Sequence, residues 1–219
     1  MATSPQTARE LPAEVCDLAL RLGATGSSAS GSVILKQRGV MRDRPASREM
    51  RFSAAEIISV RSSEFEWRAA TGPFGCVSVV DALRNGQAQL DVRVLGAFWI
   101  ARVRNSAAAA KGEVVRYLAE LAWAPDAILH NSSLAWSVID GRTLRVSAAE
   151  KAARGEVEFR LDQKGLISTV FARDRPRKEG KSFVERPWCG RFYDYRQHQD
   201  RWLPFAGEVG WILVSNCIN

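Results

Sequence analysis

Histidine is scarce in this chain: there are two, His130 and His198, far apart and in polar surroundings. No Cys or His stands at ligand spacing from either, so a metal centre is not expected. The same scarcity, with no Gly-x-Ser-x-Gly elbow, argues against Ser-His-Asp chemistry. The four cysteines, Cys16, Cys76, Cys189 and Cys217, are scattered and form no CxxC, which excludes a zinc knuckle and a disulfide framework. A cytoplasmic protein with reduced thiols is the expectation. No run of about eighteen apolar residues exists, so no membrane helix is encoded. The opening Met1-Ala2-Thr3-Ser4-Pro5-Gln6 lacks the charged and apolar regions of a signal peptide. Gly72-Pro73-Phe74-Gly75 has neither the Walker nor the dinucleotide spacing and reads as a turn, so no cofactor is expected.

What remains has an ordinary globular balance, with 46% apolar and 25% charged residues. The net charge of +7 is concentrated: between Phe171 and Arg191 stand seven basic residues and three acids. That stretch lacks a nucleic-acid recognition motif. It reads first as a solvated basic loop beside a pocket mouth, and second as a site for an anionic ligand group. No specific nucleic-acid partner is expected, and oligomeric state stays open.

Along the chain, residues 1–10 read as a polar tail, and residues 11–219 as a single domain without internal repeat. Val15, Leu18, Ala19 and Leu22 fall at helical spacing behind Pro12, and Gly23 stops that helix. From Val33 the period becomes two. Phe65, Trp67 and Ala69 share one face, as do Val77, Val79, Asp81 and Leu83. Asn85-Gly86 is a type I′ hairpin signal, with Leu90, Val92 and Val94 on the returning strand. Residues 107–123 form an Ala-rich helix that Pro125 ends or kinks. Strands then resume around Trp136, Phe159 and Leu166–Ala172, with Tyr193 and Tyr195 expected on one strand face and a last strand over 208–214. The sum is an α+β fold: one strongly curved antiparallel half-barrel of roughly eight to ten strands, with one or two helices over or in its concave face.

Arg116-Tyr117-Leu118-Ala119-Glu120-Leu121-Ala122-Trp123-Ala124-Pro125 resembles the Arg-Tyr-Leu-x-Glu-x-x-Trp-x-Pro signature of an uncharacterised bacterial family, many of whose members are membrane-anchored. Leu11-Pro12, Phe65-x-Trp67-x-Ala69, Val80-Asp81, Leu134-x-Trp136-x-x-x-Asp140, Pro187-Trp188-x-Gly190, Leu203-Pro204 and Glu208-Val209-x-Trp211 agree with it. The resemblance implies a curled half-barrel covered by helices, similar to bacterial lipoprotein carriers, and no established activity. It also sets this chain apart from relatives that carry an anchor.

Glu113, Arg116 and Glu120 fall at i, i+3 and i+7 and form one polar stripe. Two readings stand: a surface ion pair worth a few tenths of a kcal/mol, or a stripe turned into the concavity, with Arg116 anchoring an anion and Glu120 as general acid or base. Asp81 alternates onto the inner face, where a carboxylate must be paired or protonated; the alternative is a hairpin cap. Asp140, before Gly141, is the weakest acid candidate and fits a turn. Tyr117, Trp67, Trp123, Trp136, Trp188, Tyr193 and Tyr195 are candidate pocket residues for a flat or lipophilic ligand. The expected function is a pocket protein for a lipophilic small molecule: a cofactor-free acid–base enzyme (cyclase, isomerase or hydrolase) of specialised metabolism or, alternatively, a non-catalytic carrier.

Overall fold

The computed structural model describes residues 11–25, 31–42, 47–103 and 105–212. The polar tail and the end of the expected last strand lie outside these residues. The opening helix, α1, is Ala13–Arg21, with Pro12 as its N-cap. Six strands follow: β1 Ser32–Met41, β2 Met50–Ser59, β3 Phe65–Thr71, β4 Val77–Arg84, β5 Gln87–Val94 and β6 Phe98–Val103. The long helix α2, Ala107–Ala119, tightens into a 3-10 turn at Glu120–Trp123 before the short helix α3, Pro125–His130. Six more strands complete the chain: β7 Leu134–Asp140, β8 Thr143–Glu150, β9 Ala153–Leu161, β10 Ile167–Glu179, β11 Ser182–His198 and β12 Arg201–Trp211.

These strands do not make the single curved sheet expected from the sequence. They form two six-stranded antiparallel meanders, β1–β6 and β7–β12, and neither closes into a barrel. The described residues hold twelve strands, more than the eight to ten expected. The physical break is α2. Its residues are buried on nearly every side, so it takes the place a further ladder would need and turns a different side to each sheet. Pro125 does not stop the helical region; it opens α3, where its missing N–H costs nothing.

Local signals explain most elements. Ser106 caps α2 by accepting from the Ala109 N–H at 3.1 Å. Asn85 and Gly86 both adopt positive φ (49° and 66°), which the type I′ turn between β4 and β5 requires. Gly155 on β9 lets α2 come close: a Cβ there would meet Val114 Cγ1 at 2.8 Å. One apolar core joins α1 (Val15, Leu18), α2 (Val114, Val115, Leu118) and both sheets (Ile58, Phe65, Leu83; Leu144, Val157, Phe159).

Candidate functional site

The register of the first sheet lines up its inner face in rows. Glu56 on β2 pairs with Trp67 on β3, which pairs with Asp81 on β4. Acid, indole and acid therefore stand side by side across three strands. Arg116 of α2 descends onto this row. Its Nη1 donates to Asp81 Oδ2 at 2.6 Å, Nη2 to Glu56 Oε1 at 3.0 Å and Nε to Glu120 Oε1 at 2.9 Å. Its guanidinium also lies over Phe65 and Trp67, with Cζ 4.7 and 5.2 Å from the ring centroids. Gln37 of β1 completes the layer: its Nε2 donates to Glu56 Oε2 and its Oε1 accepts from Trp67 Nε1, both at 2.7 Å. The surface-pair reading of Arg116 and Glu120 is overturned, since Glu120 is 8% exposed and Arg116 is held between helix and sheet.

The electrostatics follow from burial. Glu56 is fully enclosed, and desolvation, followed by the nearby charge of Glu120, pushes its pKa up to about 9. Glu113, one turn before Arg116, is pushed up to about 8 by desolvation and by Asp81. Oxygens Asp81 Oδ1, Glu113 Oε2 and Glu120 Oε2 are enclosed without a hydrogen-bond partner. Among the described residues no group of three or more His, Cys, Asp or Glu side chains is disposed to hold a metal ion.

The other expected site residues do not converge here. Asp140 sits in its turn, accepting from the Arg142 N–H at 2.8 Å, and that bond holds its carboxyl below the usual range. Tyr117 is fully buried; it donates to the Ser59 carbonyl at 3.0 Å and accepts from Asn131 Nδ2, and burial raises its pKa. Trp136 stacks on Phe159 in the core of the second sheet. Trp123 packs edge-on against Phe192 and donates to the Pro204 carbonyl at 2.8 Å. Tyr193 and Tyr195 do not share a face. Between them Asp194 has φ of 56°, so Tyr193 stays exposed while Tyr195 donates to the Ile167 carbonyl. Only Trp67 belongs to the Arg116 cluster, and Trp188 lies under Arg175. The basic stretch is not a loop either: it is the paired strands β10 and β11.

Glu56 and Gln37 were missed, whereas Arg175 stood within the basic stretch read second as an anion site. Glu56 had a legible signal, because Phe52, Ala54, Glu56 and Ile58 alternate as Asp81 and its neighbours do. Beyond the acid row the inner face turns to small apolar residues, Ala54, Ala69, Val79, Val92 and Ala101, in one cross-strand row. Ala54, Val79 and Val92 are half-buried, Ala69 is buried and Ala101 is exposed. This row lies one register step from Glu56, Trp67 and Asp81. Two surface cavities lie elsewhere: a groove of about 530 Å³ along the ends of β1–β3, and one of about 310 Å³ by Lys111, Pro176 and Phe183. Neither touches the cluster.

A family profile matches residues 2–216. The chain belongs to DUF6544, a family of unknown function. Membership by itself gives this DUF6544 protein no activity. Among solved structures it is similar to a domain of Vibrio parahaemolyticus assigned to outer membrane lipoprotein sorting. That likeness has a TM-score of 0.51 at 12% identity and covers 90% of this chain and 84% of the other, so it speaks for the fold. No curated protein matches the DUF6544 chain. Among its described residues no helix is long and apolar enough to cross a membrane.

Proposed function

We propose that this protein is a non-catalytic binding module that shelters the apolar part of an amphipathic small molecule in the trough of the first sheet. The observation that supports it most is the contrast between adjacent rows of one face. The acid row is sealed by Arg116, whereas the neighbouring row of small apolar residues is left half-covered. Small side chains make a channel where large ones would fill it, and burying an alkyl chain there gains about 0.8 kcal/mol per CH₂. The likeness to a lipoprotein-sorting domain is consistent with this reading. The test is native mass spectrometry of protein purified without detergent. The expected result is a one-to-one adduct that organic extraction releases as a compound bearing an apolar chain. A protein that is bare and also fails to bind 1-dodecanol would overturn the proposal.

An acid–base enzyme is the second reading, favoured by the raised pKa values of Glu56 and Glu113 beside unpartnered carboxylate oxygens. Against it, all three nitrogens of Arg116 are occupied by carboxyl oxygens, and neither of these two cavities opens onto the cluster. Glu120→Gln separates the two readings: an enzyme loses turnover by roughly 10²–10⁴, a binding module only stability.

A further inference from the structure

We propose that Arg175 and Arg177, lying against the indoles of Trp188 and Trp211, form the binding site for the anionic group, a phosphate or carboxylate, of that amphiphile. The inference deepens the carrier reading and rests on it.

The seat is built by register. Trp188 of β11 pairs with Trp211 of β12, and a bulge in β10 between Ala172 and Arg175 shifts the strand just before the arginines. Arg175 Cζ lies 4.7 Å from the centroid of Trp188 and 5.6 Å from that of Trp211. Arg177 Cζ lies 5.6 Å from the same Trp211 ring. Two guanidinium groups thus share one indole. A guanidinium on an aromatic face keeps its N–H edge free, and that edge fits a carboxylate or phosphate in bidentate fashion.

Among the described residues nothing fills this role. Among the described residues neither Arg175 nor Arg177 makes a hydrogen bond or an ion pair; their contacts are the indole faces. The three acids of the same stretch are engaged elsewhere. Lys111 holds Asp174 at 2.6 Å and Glu185 at 2.8 Å, and Arg186 holds Glu179 through two bonds of 3.0 and 3.1 Å. Glu179 reaches Arg177 only as a more distant charge. Burial pushes Arg175 below its ordinary pKa, as for a cation taken from water without a contact anion.

The acid with the strongest electrostatic influence on Arg175 is Glu113, whose Oε2 is enclosed and unpartnered. Desolvation and the charge of Asp81 raise the pKa of Glu113, which favours its protonated form. In that form it can donate a hydrogen bond to an incoming oxyanion instead of repelling it. Asp81 is also among the charges acting on Arg175, and Asp81 stands one register step from Val79 in the trough.

The test is calorimetric titration of the full chain with three probes: dodecyl phosphate and 1-dodecanol, both below their aggregation limits, and inorganic phosphate. The expected result is that dodecyl phosphate binds about tenfold or more tightly than 1-dodecanol. Arg175→Met, which keeps an apolar stem on Trp188, should erase that difference and leave 1-dodecanol binding unchanged. Arg175→Lys should restore part of it. Equal affinity for both dodecyl probes in the unmodified chain would overturn the anion site while leaving the carrier reading intact. Inorganic phosphate binding that depends on Arg175, with no binding of 1-dodecanol, would support a free-oxyanion site and overturn the carrier reading. No binding of any probe would overturn both.

Discussion

Arg116 Nη2 donates to Glu56 Oε1 at 3.0 Å, joining a helix residue to a strand residue 60 positions away. With the bonds to Asp81 and Glu120, this contact makes Arg116 the hub that fixes α2 on the first sheet. Arg116→Met would leave Glu56, Asp81 and Glu120 enclosed without their common donor. Urea unfolding at neutral pH should show a loss of about 3–5 kcal/mol, as for breaking a buried ion pair from one side. Arg116→Lys should recover only part, since an ammonium cannot serve three carboxyls and two aromatic faces at once. A loss below about 1 kcal/mol for Arg116→Met would contradict the hub role.

The pH dependence should run against the usual trend for acids. Glu56 and Glu113 rise from 4.5 to about 9 and about 8 in the fold. Between those values the folded chain holds protons that the unfolded chain has released. Stability from this source is therefore complete below about pH 4.5 and falls as pH rises towards 9. The slope is at most about 1.4 kcal/mol per pH unit for each group. Thermal midpoints measured from about pH 5 to pH 9 should decline, and Glu56→Gln and Glu113→Gln should each flatten the decline. Variants with the slope of the unmodified protein would refute the assignment.

Gln37 serves two partners that have no substitute. Gln37→Ala strips Trp67 Nε1 of its acceptor and Glu56 Oε2 of its donor. A loss of about 1–3 kcal/mol is expected in chemical denaturation, with the Trp67 indole proton shifted in the NMR spectrum. An unchanged stability and an unchanged indole resonance would show that the layer does not depend on Gln37.

How much of this was legible depended on range. Short-range signals read well: the Asn85-Gly86 hairpin, the alternation that turned Trp67 and Asp81 inward, and the i, i+3, i+7 stripe of Glu113, Arg116 and Glu120. Alternation in β2 also carries Glu56 on the inner face, between Ala54 and Ile58. What the sequence could not show was partnership. Arg116 meets Glu56 and Asp81 only because α2 lies against a row fixed by sheet register, and register comes from pairing across the chain. The division into two sheets was hidden for a similar reason, since hairpins look alike whether or not a helix separates them. The tyrosine pair failed on one backbone angle, at Asp194, that alternation cannot foresee.

The central claim is that the half-covered row of the first sheet holds an apolar chain, and filling that row tests it most directly. Val92 lies on it, half-buried and opposite Val79. Titration of 1-dodecanol into the unmodified chain and into Val92→Trp should show affinity reduced about tenfold or more in the variant. Far-ultraviolet circular dichroism and the unfolding midpoint should stay close to those of the parent. Undiminished 1-dodecanol affinity in a folded Val92→Trp protein would contradict the account.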